Sequence, residues 1–488
     1  MDYQKIKTLS ELKKAKYKQK SIKDELRENL IYNIQNKINV FQGIHGYEKS
    51  VIPEIERAIL SRHNINLLGL RGQAKTRIAR LMVNLLDEYI PYVEGSEIYD
   101  DPIAPISRAS IELTKKMGDD TPISWLHRSE RFAEKLATPD VTVADLIGDI
   151  DPIKAANLKL SYADDRVIHY GMIPRANRCI FVINELPDLQ ARIQVSLFNI
   201  LQEGDVQIRG FKLRLELDMQ FIFTANPEDY TNRGSIVTPL KDRIGSQIFT
   251  HYPKSIELAR EITQQEAKIS KEDKANILVP NLAKDLLEEV AFTARKSEYV
   301  DAKSGVSARL TISAMENLMA AAKLRLIETD SNKTSIRLVD FMSIIPSITG
   351  KIELVYEGEQ EGANEVAKLL IDSAVLVQFE SLFPRISKLE KEGLKTPYTD
   401  LIHWFDNNFI ELNYTDTDDE FFSNLKSIKP LTSLVKDYAG KLSSQDQAFC
   451  MELVLWGLTI NKKLDKSEKN TSYKFNSAGI SQYFNGTI

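Results

Sequence analysis

The sequence contains a glycine-rich stretch that reads Gly69-Leu70-Arg71-Gly72-Gln73-Ala74-Lys75-Thr76, between an apolar run at 65–68 and a helical pattern from Arg77. Glycines allow a tight turn whose backbone N–H groups converge on phosphate oxygens, and the N-terminus of the following helix adds partial positive charge. A lysine followed by a hydroxyl residue supplies contacts to the terminal phosphates and to Mg²⁺. The stretch therefore predicts a phosphate-binding loop, with an ordinary strand-to-helix turn as the alternative.

One position departs from the usual phosphate-loop pattern, because Ala74 stands where a glycine normally precedes the lysine. A methyl group is tolerated there if φ is negative and is damaging if φ must be positive. The apolar residues after the loop recur at helical spacing, which favours the strand-to-helix junction that a phosphate loop needs. These residues are Ile78, Leu81, Met82, Leu85, Leu86 and Tyr89.

The composition is typical of a soluble protein, with 488 residues of which 43% are apolar and 27% charged. This length suggests about three domains. The net charge of −5 gives no reason to expect non-specific nucleic-acid affinity, and no specific nucleic acid is expected as a partner. Residues 1–40 are basic, with ten Lys or Arg against five Asp or Glu, and their pattern is helical. They are predicted to form a solvated helical arm or, alternatively, a docking arm for an acidic neighbour.

The two cysteines, Cys179 and Cys450, lie far apart in the sequence, which predicts reduced thiols in a cytoplasmic protein rather than a disulfide framework. No apolar stretch approaches the roughly 18 residues of a membrane span, and the N-terminus lacks a secretory apolar segment. The six histidines do not pair at metal-ligand spacing, so a zinc site is not expected.

A second apolar run, Cys179-Ile-Phe-Val-Ile-Asn-Glu185, ends in two polar residues. Four successive large apolar residues are typical of a parallel strand buried on both faces, with its polar end at the edge where α/β proteins bind ligands. In P-loop ATPases such a strand ends in Asp-Glu, so Glu185 fits the base that polarises the attacking water. Asn184 replaces the aspartate, keeps an oxygen for Mg²⁺ and removes one negative charge. Asp188 would compensate if a turn brings it back, whereas Glu185 could instead be an acid favoured at a helix start.

Three further positions are candidates for contacts with nucleotide. Asn226 follows the apolar strand pattern 221–225 and is predicted to contact the γ-phosphate and its water, although Asn-Pro is also a common turn. Arg243 lies beside Asp242 and is either half of a surface ion pair or an arginine supplied to the nucleotide of a neighbouring subunit. Arg309 falls in the first turn of a predicted helix with Ser307 as its N-cap, where a nearby phosphate would relieve its conflict with the helix dipole.

The spacing of these segments predicts four regions. Residues 1–40 form the arm, 41–255 an α/β nucleotide-binding domain, 256–350 an α-helical lid and 351–488 a helical region with a polar tail. The distance between the loop and the strand before Asn184 indicates an insertion at about 91–178, with hairpin-like segments in its second half. A β-hairpin around Arg209-Gly-Phe211 is predicted before the strand that ends at Asn226.

The ordered set of motifs resembles the AAA+ ATPases, and within them the magnesium-chelatase ATPase subunit and MoxR-like group. Local strings support the resemblance over residues 41–325: Ala137-Thr-Pro-Asp140, Gly148-Asp-Ile-Asp151, Ile173-Pro-Arg-Ala-Asn-Arg178, Asn226-Pro-Glu228 and Asp242-Arg243. The resemblance implies a P-loop AAA+ core with a parallel sheet flanked by helices, β-hairpin insertions and a helical lid. It also implies a hexameric ring of identical subunits that uses ATP and Mg²⁺ and acts on a partner with a von Willebrand A domain.

The resemblance assigns roles to individual residues. Nucleotide contacts are implied for the loop and its flank, with Mg²⁺ held by Thr76 and, partly through water, by Asn184. Glu185 is implied as the catalytic base, Asn226 as the first sensor, Arg243 as the finger acting in trans and Arg309 as the second sensor. The implied nucleotide contacts are Gly69, Arg71, Gly72, Gln73, Ala74, Lys75, Thr76 and Arg77.

Several functions remain open at this point. The favoured hypothesis is a ring motor that remodels a partner protein or loads it with metal. The alternatives are the motor subunit of a magnesium chelatase and a nucleotide-gated scaffold that hydrolyses little ATP, the latter suggested by Asn184. A transcriptional activator of the AAA+ type is not supported, because the sequence lacks the Gly-Ala-Phe-Thr-Gly-Ala loop and an evident C-terminal helix-turn-helix.

Overall fold

A computed structural model describes residues 5–161, 167–207, 214–227, 235–392, 394, 396–469 and 472–478. The chain divides into two units, Met1–His251 and Tyr252–Ile488. The predicted lid, 256–350, and the predicted C-terminal region, 351–488, contribute to a single hydrophobic core in the second unit. Within the described residues, no helix is both long enough and apolar enough to cross a bilayer.

A parallel five-stranded sheet lies at the centre of the first unit, in the order β5-β1-β4-β3-β2. Its strands are β1 (Ile65–Leu68), β2 (Phe132–Leu136), β3 (Ile180–Asn184), β4 (Gln220–Ala225) and β5 (Ser246–Phe249). The three inner strands are buried along their whole length, as their continuous apolar sequences predict. The predicted fold class, a P-loop α/β core with a parallel sheet flanked by helices, is confirmed.

The register of the sheet brings the strand ends together. Leu68 at the end of β1 pairs with Ala225 of β4 on one side and with Phe249 of β5 on the other. Parallel strands end at the same edge, so the residues that follow β1, β3 and β4 lie at one edge of the sheet. These residues are Gly69, Glu185 and Asn226.

The predicted insertion at 91–178 needs correction, because it contains β2, the edge strand of the central sheet. Its sequence, Phe-Ala-Glu-Lys-Leu, is only half-buried and therefore lacks the apolar run by which β3 was recognised. The remaining part holds two antiparallel strand pairs, Tyr89–Val93 with Ile123–His127 and Gly148–Ile150 with Ile168–Tyr170. The second pair is one of the predicted hairpin-like segments.

The hairpin predicted before β4 is present as the antiparallel pair Asp205–Gln207 and Arg214–Glu216. Its predicted centre, Arg209-Gly-Phe211, lies outside the described residues, as does Glu228 after β4. The helical pattern after the phosphate loop is shorter than predicted, since Lys75–Leu81 is α-helical, Met82–Leu85 is a 3₁₀ helix and Tyr89 begins a strand.

Helices cover both faces of the central sheet or connect its strands. The α-helices are Leu9–Lys14, Ile22–Gln35, Val51–Leu60, Lys75–Leu81, Arg108–Met117, Val143–Leu146, Pro152–Leu158, Met172–Arg175, Ala191–Ser196, Phe198–Glu203 and Thr238–Arg243. The short 3₁₀ helices are Met82–Leu85, Gly118–Asp120, Arg128–Glu130 and Leu186–Asp188.

The basic arm is anchored in the first unit by one face of the helix Ile22–Gln35. Its side chains Ile22, Leu26 and Leu30 are buried in the core that includes β1. Glu25 accepts two hydrogen bonds from the Arg131 guanidinium, at 2.6 and 2.7 Å, and both side chains are buried. A buried charge pair of this kind is costly to break from one side, so the helix is fastened to the turn that leads into β2.

The second unit is mainly helical around one core. Its α-helices are Ile256–Glu266, Lys271–Asn276, Asn281–Ala294, Arg309–Glu328, Ile345–Thr349, Tyr356–Glu361, Ala363–Leu382, Ile386–Lys391, Thr399–Phe405, Asp418–Ser427, Lys429–Ala439 and Ser444–Ile460, with a 3₁₀ helix at Leu338–Ile344. Two short strands, Ile277–Leu278 and Thr334–Ser335, pair in parallel.

The helical prediction for 351–488 is incomplete, because this region also contains an antiparallel three-stranded sheet. Its strands are Ile410–Asn413, Leu464–Lys469 and Ser472–Ser477, with the last in the centre. Residues expected to belong to a polar tail therefore pair as strands, and Tyr473 and Phe475 are buried on alternate positions. Leu464–Lys469 has one apolar residue and Ser472–Ser477 has two, so these segments were interpreted as a polar tail.

A buried carboxyl group makes the stability of the second unit depend on pH. Burial raises the pKa of Glu452 from 4.5 to about 8, and the nearby Asp340 adds to the rise. Arg337 and the hydrogen bonds that Glu452 accepts from the N–H groups of Leu338 and Val339 lower the pKa and oppose this effect. A carboxyl group whose pKa is raised on folding contributes stability that is fully present below pH 4.5 and is lost as the pH rises through about 8.

Glu452→Gln is expected to raise the thermal midpoint of unfolding at pH 9 more than at pH 6, since the neutral amide still accepts both N–H groups. The underlying free energy is roughly 1.4 kcal/mol for each unit of pKa shift that is removed. Thermal unfolding at both pH values measures the difference. Glu328→Gln, which replaces an exposed carboxylate of the same unit, serves as the control. An equal change at both pH values would contradict the prediction.

Candidate active site

The phosphate loop connects β1 to the helix Lys75–Leu81 through a turn with two left-handed residues. Gly72 has φ of 74° and Ala74 has φ of 58°. A Cβ atom at Gly69 would lie 2.0 Å from Thr250 Oγ1 and 2.3 Å from Gln73 Oε1, so no larger residue fits there without displacing them. The loop therefore requires glycine at positions 69 and 72 for different reasons, close packing and backbone conformation.

Ala74 has the positive φ that the sequence analysis identified as damaging. For an L-residue other than glycine, the left-handed region costs roughly 1–2 kcal/mol because Cβ approaches the backbone. The residue caps the N-terminus of the helix Lys75–Leu81 with its backbone alone. The phosphate loop is consequently strained at the position before the lysine.

Ala74→Gly is expected to increase the free energy of unfolding of the first unit by up to about 1 kcal/mol and thus to raise its thermal midpoint slightly. The relief of strain is offset in part by the larger backbone entropy of glycine in the unfolded chain, about 0.4–1 kcal/mol. Ala79→Gly, inside the helix Lys75–Leu81, is the matched control and is expected to destabilise by about 1 kcal/mol or more. Equal destabilisation by the two substitutions would show that Ala74 is not strained.

The inner side of the loop is fixed by Gln73. Its amide oxygen accepts a hydrogen bond from Thr250 Oγ1 at 2.6 Å, and the side chain is buried. The Tyr47 hydroxyl lies 3.1 Å from the Gln73 carbonyl oxygen and 2.7 Å from that of His251. His251 Nε2 is 2.9 Å from Ser50 Oγ. The end of β5 and the segment before the helix Val51–Leu60 thus hold the loop from behind.

The lysine of the loop is buried and points back over the turn. Lys75 Nζ donates to the carbonyl oxygens of Gly69 and Leu70, the second at 3.1 Å, and to Asn226 Oδ1 at 2.6 Å. Asn226 in turn donates from Nδ2 to Glu185 Oε2 at 2.9 Å. A continuous chain of hydrogen bonds therefore links the phosphate-loop lysine to the predicted base through the predicted sensor.

Glu185 is held at the end of β3 in an unusual backbone conformation. Its φ is 54°, in the left-handed region, and its backbone N–H donates to Thr224 Oγ1 at 3.2 Å. Strained residues of this kind persist where the surroundings fix them, often at functional sites. The turn directs the Glu185 carboxylate toward Asn226 at the sheet edge where the phosphate loop also lies.

Two oxygen atoms at this edge suit a magnesium ion. Thr76 Oγ1 lies 3.3 Å from Asn184 Oδ1, which also accepts a hydrogen bond from Thr224 Oγ1 at 3.1 Å. Mg²⁺ in nucleotide sites takes one or two protein oxygens and completes its shell with water and phosphate oxygens. The hydroxyl of Thr76 and the amide oxygen of Asn184 fit that donor set.

Asn184 contacts a carboxylate that was not predicted from the sequence, that of Glu134. Asn184 Nδ2 donates to Glu134 Oε1 at 2.6 Å, whereas the backbone N–H of Asp188 bonds to the Glu185 carbonyl oxygen at 2.9 Å. Glu134 of β2 therefore supplies a carboxylate that contacts Asn184, and compensation by Asp188 stays a prediction. The sequence of β2, Phe-Ala-Glu-Lys-Leu, has neither a continuous apolar run nor a regular alternation of apolar and polar residues, so the strand carries no usable signal.

Arg243 ends the helix Thr238–Arg243 and is held by its own unit. Its guanidinium donates to the carbonyl oxygen of Pro239 at 2.7 Å and to Gln202 Oε1 at 3.1 Å, and lies 5.1 Å from the centre of the Phe198 ring. The buried Gln194 accepts from the Val237 N–H at 2.9 Å and so fixes the start of this helix. These contacts orient the half-exposed arginine and do not include Asp242.

The remaining predicted contacts lie on the loop or in the second unit. Arg71 is exposed on the loop, and Arg77 is half-buried in the first turn of the following helix. Arg309 is the first residue of the helix Arg309–Glu328, with Ala308 as N-cap, while Ser307 Oγ accepts from the Arg309 N–H at 3.1 Å. Ser307 therefore accepts a hydrogen bond from the first turn of the helix, although it precedes the N-cap residue by one position. The nucleotide roles of these three arginines stay predictions.

No family model matches the chain. Solved structures that resemble it include a protein assigned as an ATPase from Cytophaga hutchinsonii, at 17% identity over 74% of this chain and 97% of that one, with a TM-score of 0.30. NtrX from Brucella abortus in complex with ADP matches at 14% identity over 71% of this chain and 65% of its own, with a TM-score of 0.37. A model of the complex between the magnesium chelatase subunits BchI and BchD matches at 18% identity over 66% of this chain and 98% of that one, with a TM-score of 0.34.

The sheet order, the phosphate loop after β1 and the polar residues after β3 and β4 define the chain itself as having a P-loop nucleotide-binding fold.

Proposed function

We propose that this protein is an AAA+ ATPase that binds and hydrolyses Mg-ATP in an oligomeric ring, and that it uses the energy to remodel a partner protein or load it with metal. The observation that carries the proposal is the hydrogen-bonded chain from Lys75 through Asn226 to Glu185. It joins a phosphate-binding cation to a carboxylate that can accept a proton, at one edge of a parallel sheet.

Each residue of the site has a role that its contacts support. The loop N–H groups and Lys75 bind the phosphates, and Thr76 with Asn184 holds Mg²⁺. Bound Mg²⁺ neutralises charge on the phosphate oxygens during transfer. Glu185 orients and deprotonates the attacking water, and Asn226 sets the direction of the Glu185 carboxylate through its 2.9 Å hydrogen bond.

The ring and the partner rest on the AAA+ resemblance. Arg243 is oriented at the end of its helix and is proposed to reach the nucleotide of the adjacent subunit. A partner with a von Willebrand A domain is proposed from the resemblance to the magnesium-chelatase and MoxR-like group. The number of subunits is proposed to be six on the same basis.

Nucleotide binding and ATP turnover of the full chain test the proposal. Calorimetry with ADP and Mg²⁺ is expected to show binding that Lys75→Ala abolishes, and turnover per subunit is expected to rise with protein concentration as rings form. Lys254→Ala, an exposed lysine outside the loop, is the matched control. Failure of the parent chain to bind ADP or ATP would overturn the proposal.

A second function, a nucleotide-gated scaffold, is favoured by two observations. The metal-facing side chain after β3 is the neutral Asn184, and the loop before Lys75 is strained at Ala74. Nucleotide binding and concentration-dependent assembly without turnover at any protein concentration would support the scaffold in place of the motor. Turnover that Glu185→Gln removes would exclude it.

A further inference from the structure

The side chain of Asn184 lies between two hydroxyl groups and one carboxylate. Thr76 Oγ1 and Thr224 Oγ1 approach its amide oxygen at 3.3 and 3.1 Å, and Glu134 Oε1 accepts from its amide nitrogen at 2.6 Å. Asn184 is buried, and the Glu134 side chain is 25% exposed. Glu134 reaches this position because β2 pairs in parallel with β3, with Leu136 opposite Asn184.

The carboxylate determines which end of the amide faces the phosphate loop. An ionised carboxylate only accepts hydrogen bonds, whereas a hydroxyl can donate or accept. The amide nitrogen of Asn184 must therefore point toward Glu134, and its oxygen must point toward Thr76. With a neutral or absent neighbour at position 134, the two threonine hydroxyls could accept from the amide nitrogen, and the metal-facing oxygen would be lost.

We propose that Glu134 is a positioning residue of the magnesium site: it orients the Asn184 amide oxygen toward the metal and supplies, one hydrogen bond away, the negative charge that Asn184 lacks. The inference rests on the proposed function and deepens it. A charge-assisted hydrogen bond of this kind is stronger than a neutral one and polarises the amide in the direction that increases charge on its oxygen.

Arg80 is the other partner of Glu134 and provides an internal comparison. Its guanidinium donates to Glu134 Oε2 at 2.8 and 3.1 Å, and the Arg80 side chain is 64% exposed. An ion pair as exposed as this one is well screened by solvent. Arg80 binds the oxygen that does not contact Asn184, so its removal leaves the orienting hydrogen bond in place.

The test measures how nucleotide affinity depends on Mg²⁺, in the full chain and without turnover. Fluorescently labelled ADP is titrated at a series of Mg²⁺ concentrations, and the concentration that gives half of the increase in affinity is recorded. Removal of a side chain that supports a metal ligand typically weakens metal binding about 10- to 100-fold. Glu134→Ala is expected to raise the half-effect concentration of Mg²⁺ by about tenfold or more.

Two further variants separate orientation from charge. Glu134→Gln retains an accepting oxygen without the charge, so its half-effect concentration is expected to lie between those of the parent and Glu134→Ala. Arg80→Ala is expected to stay within about twofold of the parent, as for an exposed ion pair. If Arg80→Ala matches Glu134→Ala, the carboxylate acts through the ion pair, and the inference is overturned.

Relocating the charge gives a test that does not depend on deleting the contact. Asn184→Asp alone places two carboxylates where the present atoms are 2.6 Å apart and is expected to perturb the site by repulsion. Adding Glu134→Gln restores a hydrogen bond between positions 134 and 184. The amide at position 134 is now the donor, and the negative charge lies at position 184, on the metal side. The half-effect concentration of Mg²⁺ for the double variant is expected to be no higher than that of the parent and lower than that of Asn184→Asp alone.

The outcomes distinguish failure of this inference from failure of the proposed function. If Mg²⁺ strengthens ADP binding in the parent and the Glu134 variants do not change this dependence, the inference fails and the function stands. If Lys75→Ala binds ADP like the parent, or Mg²⁺ has no effect on the parent, the proposed function fails as well. Circular dichroism and thermal midpoints confirm folding, and the double variant decides the question if Glu134→Ala is unfolded.

Discussion

Glu185→Gln is expected to lower ATP turnover by roughly 10²- to 10⁴-fold while nucleotide binding stays within a few-fold of the parent. Glutamine has the shape of glutamate and an oxygen that can accept the Asn226 hydrogen bond now measured at 2.9 Å. The chain from Lys75 through Asn226 therefore survives the substitution. What is lost is the carboxylate that accepts a proton from water, so the effect falls on the chemical step.

Steady-state turnover and ADP affinity, measured on the same preparations, check this prediction. Glu130→Gln is the matched control, because Glu130 is an exposed carboxylate on the turn before β2 and has no place in the site. Turnover of Glu185→Gln close to that of the parent would assign the base to another residue. Loss of ADP binding together with turnover would indicate disruption of the loop and leave the base role without support.

Arg243→Ala is expected to lower turnover by roughly 10³- to 10⁵-fold, the range for an arginine that stabilises a phosphoryl-transfer transition state. The Pro239 carbonyl oxygen and Gln202 hold its guanidinium at the end of the helix Thr238–Arg243. Lys241→Ala removes an exposed cation from the same helix and controls for a general change in charge.

Mixing two inactive variants tests whether this arginine acts on a neighbouring subunit. Lys75→Ala is expected to lose its own nucleotide site and keep Arg243, whereas Arg243→Ala keeps the nucleotide site and loses the arginine. Mixed rings contain interfaces with an intact lysine from one subunit and an intact arginine from the next, so turnover is expected to reappear on mixing. Absence of recovery in rings shown to contain both variants would mean that Arg243 acts within its own subunit or has no role.

The parts of the fold that were predictable are those with continuous apolar sequence. Strands β1, β3 and β4 are buried on both faces, and each is directly followed by a residue of the site: Gly69, Glu185 and Asn226. Because parallel strands end at one edge, the meeting of Lys75, Glu185 and Asn226 followed from the sequence once these strands were recognised.

The parts that were missed are half-buried or depend on backbone conformation. Strand β2 is an edge strand with a mixed sequence, so the contact between Glu134 and Asn184 could not be predicted. The strands Leu464–Lys469 and Ser472–Ser477 contain few apolar residues, so the second unit's sheet was not predicted. A positive φ at Ala74 was predicted to be damaging. Whether φ is positive or negative there depends on how the loop packs against Gln73 and Thr250, which the local sequence does not show.

The order of the strands in the sheet also bears on the time at which the site can form as the chain is synthesised. β1 is flanked by β4 and β5, which are the last two strands of the sheet to be made. The ribosome must therefore add more than 150 residues after Leu68 before its pairing partner Ala225 exists, and Phe249 follows later still. Such long-range pairing is slow to establish, and a nascent chain that stops before β4 has no strand against which to set its phosphate loop. The proposed nucleotide site is thus one that the emerging first unit can form only when it is almost complete.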